Sequence, residues 1–433
     1  MKKISILGIC IIALVAIGAG SAQALTPEEQ LGKSIFFDTD LSIELNQACA
    51  VCHGPAMGWT GPDSFINATG AAYEGSIPGR FGNRKPPSSA YATQSPIFHF
   101  QRQGGGTFVG GNFWDGRATG EKLGNPAADQ AQGPFLNPVE QALPDNACVV
   151  YRVCTASYLV AFQAVWGDEA CNIAWPADTV SVCATEGGMV ELSPEDADKV
   201  ETAYDNIALS IASYEASSEV NAFSSKYDAY LAGLEDLTSQ ERKGLRLFRG
   251  KAKCARCHIE KTGKNREPPL FTDFTFDNLG VPRNPENPWY EQPFNPDGFD
   301  WIDEGLGGFL VTRPEYLNRA AENRGAQKVP TLRNVDLRPS PDFVKAYAHN
   351  GYFKTLKGIV HFYNTRDVLP TCPDPLFTTE AEALAMNCWP APEIPENVNT
   401  KELGDLKLSD ADEDAIIAFL KTLSDVFMAP AAQ

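Results

Sequence analysis

The chain has 433 residues, 43% of them hydrophobic and 21% charged, with 11 cysteines and a formal net charge of -19. A surface this acidic argues against nucleic acid as a partner and favours a basic partner or none. The length exceeds what one core normally supports, so two domains are expected.

Residues 1–24 read "MKKISILGICIIALVAIGAGSAQA": a basic pair, an apolar run and a small-residue Ala22-Gln23-Ala24 site. That is the pattern of a cleavable secretory signal, with the mature chain beginning near Leu25. Its removal takes away Lys2 and Lys3 and no acid, which makes the charge two units more negative. Cys10 follows Ile9 rather than a small residue, so lipidation is not indicated. No other stretch approaches about 18 uninterrupted apolar residues, and no membrane span is expected. The mature chain is expected to be exported, to the periplasm or beyond.

The next segment, "LTPEEQLGKSIF" at 25–36, opens on a capping box of Thr26 and Glu29 and predicts a helix. "CAVCH" follows at 49–53. A long helix is predicted from Ser193 and Pro194, with Val200, Tyr204, Ile207 and Ile211 along one face. The pattern then repeats. "LTSQERKGLRLF" at 237–248 carries a second capping box, Thr238 with Glu241; "CARCH" stands at 254–258; and a closing helix starts at Ser409 with Asp412 and places Ile416, Phe419, Leu420 and Leu423 on a stripe. This is an internal duplication. The expected fold is mostly α, with a signal segment over 1–24, an N-terminal domain over 25–216, a linker over 217–237 and a C-terminal domain over 238–433. Residues 283–308, rich in Pro, Asn and aromatics, read as an ordered surface loop.

C-x-x-C-H is the attachment signal for c-type haem, in which the thiols form thioethers and the histidine reaches the iron. Zinc would need two more ligands near each motif, and the whole chain has only His53, His99, His258, His349 and His361. A thioredoxin-like dithiol needs no histidine after it. Two copies in an exported chain therefore predict two covalent haems, on Cys49, Cys52 and His53 and on Cys254, Cys257 and His258. Six cysteines then remain, and an even remainder in an exported chain reads as disulfides. Proximity favours Cys148–Cys154, Cys171–Cys183 and Cys372–Cys388 among the fifteen pairings that six cysteines allow.

Two haems could simply carry electrons, with both irons six-coordinate. Sixth ligands are usually Met or His, and the mature methionines are only Met57, Met189, Met386 and Met428. Met57 lies too close to His53 to cross to the other haem face. With ligands this scarce, one iron is expected to be open to an oxidant.

"NFWDGRATG" at 112–120, "QAQGPFLNPVEQ" at 130–141, "KVPTLRNV" at 328–335 and "AYAHNGYFKTLKGIVHFYN" at 346–364 resemble, in this order, the bacterial dihaem cytochrome c peroxidase superfamily. The resemblance covers nearly the whole mature chain and implies two tandem class I-like cytochrome c domains with long loops. It implies reaction with hydrogen peroxide at the N-terminal haem, and sharing of the oxidising equivalents with the C-terminal haem.

Within that superfamily the MauG branch, with its MbnH-like relatives, has a tyrosine where ordinary members place a methionine on the second haem. Tyr363 stands at that position. An anionic phenolate would stabilise oxidised iron and lower its potential. The bare residues favour His361 instead, and positions two apart on a helix point to nearly opposite sides, so only one of them can face the iron. The resemblance also makes Glu140 the distal acid and base, Gln130 its partner that orients water or peroxide, and Trp114 the relay between haems. Without it, "NPVE" reads as a turn with a solvated acid and Trp114 as a packed aromatic. Ordinary members carry a distal histidine that blocks the first haem until reduction, and between Gly54 and His99 there is none. The resemblance gives His349 a structural or propionate-binding role. It further implies a calcium ion between the domains, with Asn83 and the carbonyls of Val344 and Ala346 at the matching positions, although the pattern around Asn83 is not reproduced cleanly. The resemblance implies that the electrons come from a small electron donor or, as in the MauG branch, from aromatic residues of a periplasmic partner protein. The competing reading is a dihaem electron carrier without peroxidase activity.

Overall fold

A computed structural model describes residues 24–103, 105–263 and 267–426. The predicted signal segment, apart from Ala24, lies outside the described residues. Among the described residues helices dominate, joined by long connections, and the strands form two short antiparallel pairs. His99–Gln101 pairs with Thr107–Val109, and Phe276–Asp277 pairs with Gln327–Lys328.

In the first half the main helices are α1 (Pro27–Phe36), α2 (Pro126–Leu136), α3 (Asn146–Thr155), α4 (Leu159–Trp166) and α5 (Pro194–Ala216). In the second they are α6 (Lys226–Leu231), α7 (Ser239–Arg249), α8 (Leu356–Thr365) and α9 (Asp410–Lys421). Among the described residues no single helix is long and apolar enough to cross a membrane.

Both predicted capping boxes form. The Thr26 hydroxyl accepts from the Glu29 amide at 3.2 Å while the Glu29 carboxylate accepts from the Thr26 amide at 2.7 Å, and Thr238 and Glu241 repeat the arrangement. Each opening helix then crosses the closing helix of its own half, α1 against α5 and α7 against α9. Glycine permits both crossings. A Cβ at Gly32 would collide with the Ser210 carbonyl, and one at Gly244 with the Ala415 carbonyl. Leu31 and Ile35 pack with Ile207 and Ile211 in the first core, and Leu245 and Phe248 with Ile416 and Phe419 in the second. The first core ends at Val220 and the second begins at Tyr227.

The 217–237 segment is not bare connection. It carries α6, whose Tyr227 is fully buried against Phe271 and Phe419.

Two disulfides differ from the expected pairing. Cys148 joins Cys183 and Cys154 joins Cys171, whereas Cys372–Cys388 forms as expected. Cys148 and Cys154 both lie on α3. Six residues along a helix separate them by about 9 Å on different faces, beyond the reach of a disulfide.

Residues 283–308 are also more than a surface loop. Asp303 is 3% exposed and holds the Arg84 guanidinium through both oxygens at 2.6 Å, and the Asn284 amide donates to the carbonyls of Gly70 and Asn350. The segment therefore ties the two halves together.

Candidate active site

The two C-x-x-C-H motifs take the same local form. Each is a single helical turn in which the histidine amide donates to the carbonyl of the first cysteine at 2.9 Å, His53 to Cys49 and His258 to Cys254. The turn brings two thiols and an imidazole to one side. The histidine Nδ1 faces a backbone carbonyl in both copies, Trp59 at 3.2 Å for His53 and Phe271 at 2.8 Å for His258. A carbonyl only accepts, so the tautomer that keeps this hydrogen bond has its proton on Nδ1 and its lone pair on Nε2, the arrangement a metal ligand needs. Burial pushes the His53 imidazole down to about 4, and the His258 imidazole down as well.

A cavity lies against each motif. The first is lined by Cys52, His53, Gln130, Pro134 and Glu140; the second is lined by Cys254, Cys257, His258 and Tyr363.

Gln130 and Pro134 stand one turn apart on α2, and so share a face. The Asn137–Glu140 turn follows at once, and the Asn137 amide donates to Glu140 Oε1 at 2.7 Å. Glu140 is open to the cavity but otherwise walled in by protein. This burial raises its carboxyl above the ordinary range, against the opposing pull of Arg117 and Asn137. Arg117 is itself fixed, by Asp115 at 2.7 Å and by stacking over the Phe113 ring at 3.9 Å.

Tyr363 and His361 separate as two positions on one helix should. Tyr363 lines the second cavity, where burial raises its hydroxyl. His361 points away, with Nδ1 at 3.0 Å from Glu413 Oε1 and its ring against Trp389. His99 is exposed on its strand, with Nδ1 at 2.8 Å from the Ile97 carbonyl, and does not line the first cavity.

Trp114 lines both cavities. Its indole N–H donates to the Lys85 carbonyl at 2.9 Å, its own carbonyl accepts from the Lys328 amide, and its ring meets His349 edge-on at 6.5 Å. His349 is buried with Nε2 unpartnered, 3.8 Å from Asp303 and 4.0 Å from Glu393, and burial pushes its imidazole down to about 4.

Burial pushes all four thiols up, to about 12 for Cys49, Cys254 and Cys257, which disfavours a free reactive thiolate. Cys257, Asp277 and Glu402 do place three potential ligand atoms within 4.8 Å of one another, but the Asn399 amide already donates to both carboxylates, and no histidine joins them.

Sequence reasoning passed over several groups. Arg117 lies inside the quoted "FWDGR" element and was legible there. Glu215 sits on the apolar face of α5 beside Tyr214, buried, with Oε2 unpartnered and its carboxyl pushed up by burial to about 8. An acid on such a stripe is a visible signal. Lys85 and Lys345, both buried, and Lys328, half-buried, had none.

A family description, di-haem cytochrome c peroxidase, matches residues 26–236. The chain is 32% identical over 421 residues to the methylamine utilization protein MauG of Paracoccus denitrificans (strain Pd 1222), covering 96% of this chain and 94% of that protein. The chain belongs to the di-haem cytochrome c peroxidase family. Its similarity extends to the cytochrome c551 peroxidase of Nitrosomonas europaea, at 25% identity over 78% of this chain and 74% of the other. Among solved structures it is similar to the diheme peroxidase BthA from Burkholderia thailandensis E264, with a TM-score of 0.71 and 28% identity over 93% of this chain and 87% of that one. The chain is thus a haem oxidoreductase of the peroxidase class, and the family carries two c-type haems. The residues fit that cofactor: Cys254, Cys257 and His258 line the second cavity, and Cys52 and His53 line the first, with Cys49 on the same helical turn.

Proposed function

We propose that the chain is an exported, MauG-like dihaem peroxidase built from two tandem class I-like cytochrome c domains, 25–216 and 238–433, joined through 217–237. Cys49, Cys52 and His53 would hold the first haem; Cys254, Cys257, His258 and Tyr363 would hold the second. Bound there, the haems supply the iron at which the peroxide O–O bond is cleaved and the capacity to store oxidising equivalents.

The observation that carries this reading is the difference between the two cavities. The first is lined by Gln130 and Glu140 and by no second histidine or methionine, whereas the second is lined by Tyr363. In this reading Glu140 takes a proton from one peroxide oxygen and returns it to the leaving one. The Asn137 amide holds Oε1, leaving Oε2 for that exchange, and Arg117 favours the ionised form. Gln130 orients the peroxide or water. Trp114, shared by both cavity walls, relays electrons between the halves.

Overall, peroxide takes up two electrons and two protons and leaves as two waters. The electrons come from a small redox donor or from aromatic residues of a periplasmic partner protein, and the acidic surface favours a basic partner.

The test is stopped-flow mixing of the ferric holoprotein, never exposed to reductant, with hydrogen peroxide. An immediate change in the haem spectrum is expected. A spectrum that stays silent until the protein has been reduced would mean a blocked first iron, and would favour a carrier or a reductively activated enzyme.

A further inference from the structure

Among the described residues, Tyr73 and Tyr91 line the first cavity and Tyr347 and Tyr363 the second. The Tyr73 hydroxyl faces neutral oxygens, the Asn67 side chain at 3.2 Å and the Asp63 carbonyl at 3.3 Å, and the Tyr347 hydroxyl accepts from Arg338 at 3.0 Å. Tyr91 alone of the four donates to a carboxylate. Its hydroxyl meets Asp425 Oδ2 at 2.6 Å, and both side chains are buried.

Both ends of this bond are fixed. The phenol oxygen accepts from the Phe223 backbone amide at 3.1 Å. Asp425 Oδ2 also accepts from the Asn334 side-chain amide at 2.9 Å, and its Oδ1 from the Ser224 backbone amide at 2.8 Å. The phenolic proton therefore has one set destination, along a short hydrogen bond of the strong, charge-assisted kind.

Arg333 makes that destination matter. Its guanidinium lies 5.1 Å from the centre of the Tyr91 ring and donates to both oxygens of Asp228 at 2.9 and 2.7 Å. A phenol that lost an electron and kept its proton would be a cation beside this fixed cation, in a buried site where like charges repel strongly. Loss of the proton to Asp425 in the same step leaves the ring neutral. Arg333 and Asn334 line the second cavity, so the pair touches residues of both cavity walls.

We propose that Tyr91 is a redox-active residue of the first cavity. Once peroxide has oxidised the haem site there, Tyr91 gives it one electron and passes its phenolic proton to Asp425, and the residue holds one oxidising equivalent as a neutral tyrosyl radical. An electron from the donor, with the proton returned by Asp425, restores the phenol. The inference rests on the reaction with peroxide proposed above.

The test is electron paramagnetic resonance of the ferric holoprotein, freeze-quenched after mixing with hydrogen peroxide without a donor, with the haem spectrum followed in parallel. A tyrosyl signal is expected. It should narrow in protein made with ring-deuterated tyrosine, vanish in Tyr91→Phe while the haem is still oxidised, and persist in Tyr73→Phe and Tyr347→Phe. In Asp425→Asn the proton has no acceptor, and the signal should form about 10²-fold more slowly or worse, the contribution of a positioned base, with haem oxidation at the wild-type rate. A bond that only holds the fold would lower the Tm of the Tyr91 and Asp425 variants and leave the signal as it was, which would overturn the inference. Haem oxidation without a tyrosyl signal in the wild-type protein, or loss of the signal in the Tyr73 or Tyr347 variant, would overturn it as well. A haem spectrum silent to peroxide would instead sink the peroxidase reading, and this inference with it.

Discussion

Replacing Glu140 with Gln is expected to slow the reaction of the ferric holoprotein with hydrogen peroxide by about 10²–10⁴-fold, the usual contribution of a positioned general acid or base. Glutamine keeps the size of the side chain and can still accept from the Asn137 amide, but it cannot take and return a proton. Both haems should remain attached and the ferric spectra unchanged, so the loss would lie in the proton step. The rate should also depend on pH in a definite sense. Burial holds the Glu140 carboxyl protonated to higher pH than an ordinary carboxylate, and only the ionised form can act as base. The rate should therefore fall on the acid side, starting above the usual carboxylate range, and this limb should vanish in the Gln variant. Stopped-flow rates across pH measure both effects. A variant that reacts at the wild-type rate would assign the proton transfer to another group.

Replacing Tyr363 with Phe is expected to change the second haem alone. The phenol lines the cavity that holds Cys254, Cys257 and His258, and Phe keeps the ring while removing the oxygen. The low-spin ferric signal should disappear or shift, and the reduction potential of that haem should rise by on the order of 100 mV, a modest part of the 0.8 V range that axial ligands span. The control is His361→Ala. His361 is held by Glu413 on the opposite side of the helix, so its loss should leave the spectra as they are and cost only stability. Spectral change in the His361 variant with none in the Tyr363 variant would reverse the ligand assignment.

Much of this arrangement was legible in the residues because it is local. The capping boxes at Thr26 and Thr238 need only a hydroxyl and a carboxylate three residues apart, and both helices begin there. The C-x-x-C-H turns are equally self-contained. What escaped depends on distant parts of the chain. The pairing of Cys148 with Cys183 and of Cys154 with Cys171 follows from α3 being a helix and from which loops fold back onto it, and proximity in sequence pointed elsewhere. The choice between His361 and Tyr363 shows the limit of periodicity, which requires them to diverge but does not say which side holds the cavity. Asp303 looked like part of a solvated loop until Arg84, more than two hundred residues earlier, was found against it. The buried lysines are hardest to foresee, since a lysine in a sequence is normally a solvated charge, and the carbonyls that meet Lys345, those of Met57, Asn334 and Leu337, come from two distant segments.

The central claim is that one iron is open to an oxidant while the other is held on both sides. Electron paramagnetic resonance of the ferric holoprotein, as isolated and with both haems attached, tests it most directly. One high-spin and one low-spin signal of equal weight is the predicted result. Two low-spin signals would contradict it and would leave a protein that only carries electrons.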